Sequence, residues 1–278
     1  MSTISAQDVK KLREMTGAGM MDCKKALTES SGDFEGAIEI LRKKGQKMSA
    51  KRADREAKEG VVVALTSDDH KQGVVLKLGC ETDFVAKGES FISLATSFAQ
   101  IALDKMPADL DSLLALPCEG GLTIAQKIEE QTGVIGEKLE INQYGSLTSE
   151  GQIQPYIHMG HKAGVILSLN KQGDTFGEAG RNVAMQVAAM HPVAVDKDGV
   201  DADTIAKEIE IGKDIARQEG KPEAIIEKIA MGKLNKFFKE NTLLNQTYVK
   251  EGKQSVQEYL KSLDSDLTVL DFKHIRLG

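Results

Sequence analysis

Tryptophan is absent from this 278-residue chain, and aromatic residues make up only 4% of it. Hydrophobic residues still reach 41%, enough to bury a sizeable core, so that core must be aliphatic. Cysteine is scarce: Cys23, Cys80 and Cys118 lie far apart with no CxxC pair. This argues against a disulfide framework or a thiolate zinc site and fits a reducing compartment. Cys80, on an apolar strand, reads as a small buried residue. No apolar run reaches the ~20 residues of a membrane span, and the first residues lack the charged-then-apolar order of a secretion signal. The expectation is a cytoplasmic protein with no membrane contact. Positive charge is also short. A formal net charge of −6 disfavours direct binding to nucleic acid or to an anionic membrane.

Catalytic signatures are missing too. No GxxxxGK[ST] run is present to cradle phosphate. Gly17-Ala18-Gly19 lacks the further glycine and the preceding strand of a dinucleotide site. The histidines (His70, His158, His161, His191 and His274) form no HExxH pattern. His158 and His161 have the spacing of a metal pair, but they flank a glycine turn without acidic or thiolate partners. No serine sits in a GxSxG elbow. The chain therefore reads as a non-enzyme with no metal and no cofactor.

What the chain does contain is organised around Glu81-Thr82-Asp83-Phe84-Val85. An apolar strand, Gly73 to Cys80, precedes this stretch, and a run with helical spacing, Ser90 to Ala102, follows it. Asp83 and Phe84 thus fall on a strand-to-helix turn. Thr82 or Asp83 is expected to cap the helix. Phe84 is either a staple folded onto its own helix or a wedge offered to a partner; on the residues alone the staple is favoured.

The remaining pattern is α+β. Residues 1–45 read as a small three-helix bundle, with Val9, Leu12 and Met15 on one face of the first helix. The second helix starts at Met20-Met21, and one of these two methionines is expected to be exposed. The third ends in Arg42-Lys43-Lys44-Gly45. Such a small bundle suits partner binding. Residues 46–58 form a densely charged, solvated helical or flexible linker. Two copies of one pattern follow. Gly73-Val74-Val75-Leu76-Lys77-Leu78 matches Gly164-Val165-Ile166-Leu167-Ser168-Leu169, Glu59-Gly60 matches Glu150-Gly151, and Asp83 matches Asp174. Two related subdomains are expected, each an antiparallel sheet with helices on one face: residues 59–145, then 146–200. The shared aspartate supports a capping role, whereas Phe84 belongs to the first copy alone. Residues 201–240 read as an antiparallel helical hairpin with isoleucine seams. Residues 241–278 complete the second subdomain and carry the tail, with a last strand from Leu267.

Thr16-Gly17-Ala18-Gly19-Met20-Met21-Asp22-Cys23-Lys24-Lys25-Ala26-Leu27 resembles the N-terminal signature of bacterial elongation factor Ts, and Cys80-Glu81-Thr82-Asp83-Phe84-Val85-Ala86-Lys87 resembles its second signature. The likeness extends along the whole chain. It implies a guanine nucleotide exchange factor for the GTPase elongation factor Tu, with a UBA-like N-terminal domain. In that family the Asp-Phe pair pushes between helices of the GTPase and disturbs its magnesium site. The likeness therefore makes Thr82, Asp83, Phe84 and Val85 the wedge. It makes Arg13, Met20 and Met21 contact candidates on the N-terminal domain, and His158 another on the core. Met159-Gly160-His161-Lys162 departs from the family's glycine-rich, arginine-bearing turn. A homodimer through the core or the hairpin is a further implication. The rival reading is a scaffold or chaperone that binds a GTPase without touching its nucleotide.

Overall fold

A computed structural model describes residues 4–278. Ser5 opens helix α1 (Ala6–Thr16) with a reciprocal cap: its hydroxyl accepts from the Asp8 N–H, and the Asp8 carboxylate accepts from the Ser5 N–H. Gly17, at φ 69°, ends the helix. Helices α2 (Met20–Glu29) and α3 (Phe34–Lys51) complete the bundle around Leu12, Cys23, Leu27 and Ala37. Met15, which shares a face with Val9 and Leu12 by spacing, is 56% exposed, while those two are buried. The bundle is short, and Ala18 from the glycine break joins Leu12 and the α2 residue Cys23 in its core.

The third helix does not stop before Gly45. It continues to Lys51, because Gly45 is buried against α7 (Ile124–Ile135). A Cβ on Gly133 of α7 would lie 2.5 Å from the Gly45 Cα. Two bare backbones cross there, and that tertiary contact outweighs the local helix-ending signal.

Strands β1 (Glu59–Thr66), β2 (Gln72–Cys80) and β3 (Glu140–Thr148) form one antiparallel sheet in that order. The second sheet contains β4 (Gln152–Ile157), β5 (Ala163–Leu169) and β6 (Val269–Arg276), also antiparallel and in that order. The hairpin turns correspond: His70 and His161 take positive φ angles of 58° and 57° at the same place in each. The sheets stack on one another through Val62, Ala64, Val75, Ile153, Ile166 and Ile275. The other face of the first sheet packs on α5 (Glu89–Lys105), α6 (Leu110–Leu114) and α7, around Leu76 and Phe98. The other face of the second packs on α8 (Asp174–Met190) and α11 (Val256–Leu263). The central strands β2 and β5 are therefore covered on both sides, which is why they read as continuous apolar runs rather than alternating ones.

Helices α9 (Ala202–Gln218) and α10 (Glu223–Asn241) form the hairpin. Its seam takes in Ile226, but small residues set its closest approach. Gly212 and Ala216 face Ile226, Ala230 and Leu234, and a Cβ on Gly212 would stand 3.0 Å from the Ala230 Cα. Small residues draw the helices together while some isoleucines face outward: Ile211 is 51% exposed and Ile225 42%, whereas Ile226 is 3% exposed and Ile205 and Ile209 pack beside Leu234 and Phe238.

Candidate functional site

The corner after β2 is built by side chains far apart in sequence. Thr82 is the cap of the one-turn helix α4 (Asp83–Ala86), its hydroxyl oxygen accepting from the Val85 N–H at 3.4 Å. The same hydroxyl donates to the Glu137 carboxylate at 2.6 Å, and Glu137 also accepts from the N–H groups of Glu81 at 3.1 Å and Thr82 at 2.9 Å. The Glu81 carboxylate accepts from the Lys138 N–H at 2.7 Å and from Arg52 at 2.6 Å, with Arg55 at 3.4 Å. Burial pushes the Glu81 carboxyl upward, but the Lys138 N–H and the two arginines outweigh burial and hold it below its usual range. The Cys80 thiol donates to the Thr82 carbonyl at 3.2 Å. Burial, with Glu137 nearby, raises that thiol to about 12, so it stays protonated and inert.

Asp83 is not a cap. It occupies the first helical position, where its charge complements the helix N-terminus. It pairs with Lys87 at 2.6 Å, which holds its carboxyl below the usual range. Asp174 in the second copy also sits at the first helical position, behind Gly173. The shared aspartate is thus a first-turn charge in both copies.

Nor is Phe84 a staple. Its ring is 86% exposed. A staple joins the residue before the cap to the fourth helical position. Those places hold Glu81 and Ala86, and α4 ends before a longer return could form. Val85 packs against the first-sheet core, so it anchors the turn while Phe84 projects.

The second subdomain meets this corner. Asp83 and Lys87 line one side of a cleft of about 380 Å³, with Gly160, His161 and Lys162 on the other. His161 is tied back to the first sheet, its Nδ1 3.2 Å from the Val62 carbonyl oxygen. His158 is exposed just before that turn, with its Nδ1 3.1 Å from the Tyr156 hydroxyl, and Met159 beside it is 86% exposed. Among the described residues, no group of three or more His, Cys, Asp or Glu side chains is placed to hold a metal ion.

Arg13, Met20 and Met21 lie on the N-terminal bundle and do not line the cleft. Both methionines are exposed, at 57% and 76%, where one had been expected. With Met15 they leave flexible apolar side chains around the Gly17–Gly19 break. The sequence reading missed Glu137, Arg52 and Lys138. No local pattern marks them, because their partners lie 29 to 57 residues away.

A family model described as elongation factor TS matches residues 81–278. Among curated proteins, the chain is 55% identical over 279 residues to an elongation factor Ts of Flavobacterium psychrophilum, covering 100% of each. It is 52% identical to an elongation factor Ts of Christiangramia forsetii, again across 100% of both. An elongation factor Ts of Chlorobaculum tepidum is 43% identical over 287 residues, with 100% of both chains covered.

Proposed function

This chain belongs to the elongation factor Ts family, a family of translation elongation factors, and on that premise we propose that it is the guanine nucleotide exchange factor of elongation factor Tu. It acts by protein contact, in the cytoplasm, and needs no catalytic group of its own. The observation that carries this reading is the Phe84 ring, 86% exposed on a corner whose backbone is tied on several sides.

Exchange is linkage. A factor that binds the nucleotide-free GTPase better than the loaded form must weaken nucleotide by the same ratio. The GTPase's magnesium ion offsets charge between the phosphates and the protein. Thr82, Asp83, Phe84 and Val85 form the wedge that disturbs this site, with Phe84 inserted and Asp83 at the rim. Phe84 suits the task because an aromatic ring buries much area with few rotatable bonds. Burying one such ring is worth roughly 1.5–3 kcal/mol, about one to two decades in an equilibrium. Further contacts must supply the rest, and Arg13, Met20, Met21 and His158 are the exposed side chains that do so.

The rival is a scaffold that binds the GTPase and leaves its nucleotide alone. Stopped-flow release of a fluorescent GDP from elongation factor Tu separates the two. Release speeds up when this protein is added if the exchange reading holds. Binding with an unchanged release rate would establish the scaffold instead.

A further inference from the structure

A one-turn helix carrying an exposed ring has little intrinsic reason to keep its shape. Helix nucleation is unfavourable, and four residues cannot recover its cost. The corner is nevertheless enclosed by a reciprocal bracket. Glu137, from the α7–β3 connection, accepts from the N–H groups of Glu81 and Thr82 and from the Thr82 hydroxyl. Glu81 accepts in return from the Lys138 N–H. Each segment's carboxylate thus satisfies the other's backbone. The side chain of Glu81 is 13% exposed and that of its partner Arg52 25%, so their 2.6 Å ion pair is partly desolvated. Arg52 directly follows α3, the helix whose Gly45 crosses α7 at Gly133. Helix α3, which begins in the N-terminal bundle, therefore leads directly into the bracket.

We propose that Glu137 is a positioning residue for Phe84, acting through Thr82 within this bracket; the proposal rests on the exchange reading above. A carboxylate suits the role because every group facing it is a donor. Glutamine of the same length has one acceptor oxygen and would turn an N–H₂ toward a donor. The bracket orders the corner before any partner arrives, so the burial energy of the ring is not spent on ordering the turn. Its loss lowers the maximal rate of GDP release more than the concentration of factor that gives half the effect, because the N-terminal contacts are untouched.

The test is a double-mutant cycle on GDP release from elongation factor Tu, with Glu137→Gln, Phe84→Ala and the pair. Glu137→Gln is expected to slow maximal release by about tenfold, and to cause no further slowing in the Phe84→Ala background. Equal slowing in both backgrounds overturns the proposal. So does an unchanged rate for Glu137→Gln where Phe84→Ala is slow. If adding the parent protein leaves GDP release unchanged, the exchange reading fails; if Phe84→Ala releases GDP at the parental rate, Phe84 leaves the mechanism; in either case the bracket is judged on the free protein. There, amide hydrogen exchange at Thr82 and Val85 rises in Glu137→Gln while α5 keeps its protection. Unchanged protection at Thr82 overturns the bracket. Should Glu137→Gln not fold, Thr82→Val, which removes the hydroxyl and leaves both N–H bonds to Glu137, is read in the same cycle.

Discussion

Gly73 on β2 and Gly164 on β5 hold matching positions in the two sheets, and each makes room for the sheet opposite. A Cβ on Gly73 would stand 2.7 Å from Ile153 Cγ2, and one on Gly164 would stand 2.7 Å from Val62 Cγ1. The repeat visible in the sequence is thus also a packing device. The two copies share a core because each gives up a side chain where the other approaches.

Gly73→Ala and Gly164→Ala should each destabilise the protein by about 1–3 kcal/mol, the usual cost of overfilling a packed core. Urea unfolding measures this. If both variants unfold at the parental midpoint, the sheets have freedom to part that this packing does not allow.

Phe84→Ala should leave stability within about 0.5 kcal/mol of the parent, as for other exposed positions. GDP release from elongation factor Tu should slow by roughly ten- to a hundredfold. A slow variant with a lowered melting temperature would point instead to a disturbed corner.

Asp83→Asn tests the neighbouring charge. Thr82, not Asp83, caps α4, so the helix keeps its cap and thermal unfolding should not shift. The pair with Lys87 is lost. Exchange activity should fall if the carboxylate faces the partner. Normal exchange would confine Asp83 to its pair with Lys87.

His274 provides a pH test. Its ring stacks on His191 with centroids 5.1 Å apart, and its Nε2 is buried without a described partner. Burial, then His191 and Arg276, lower its pKa from the ordinary 6.5 to about 4. The unfolded chain therefore takes up this proton first on acidification. The stabilisation from the neutral ring is complete above about pH 6.5 and is lost as pH falls from there toward 4. It amounts to at most ~3 kcal/mol. The melting temperature of His274→Phe should fall less between pH 7 and pH 4.5 than that of the parent. Parallel curves would show that His274 does not carry this dependence.

Local chemistry made much of the fold legible. The two glycine-led apolar runs marked the central strands, and the apolar run ahead of Thr82 marked the strand-to-helix corner. Where the reading failed, a distant group had changed the local outcome. Gly45 did not end α3 because Gly133 lies against it. Ile211 and Ile225 stay outside the hairpin seam, where Gly212 comes close to Ala230 instead.

The sequence by itself determined the α+β class, the repeat and the strand-to-helix turn at Thr82, because periodicity, capping chemistry and glycine placement act within a few residues. Only the tertiary structure decided that Phe84 faces solvent and that Thr82 rather than Asp83 caps the turn. It alone brought Glu137 and Arg52 to the corner and set Gly160 across the cleft from Asp83. Those outcomes depend on charges and backbones that meet across dozens of residues, and spacing along a chain does not encode which distant donor will find which carboxylate.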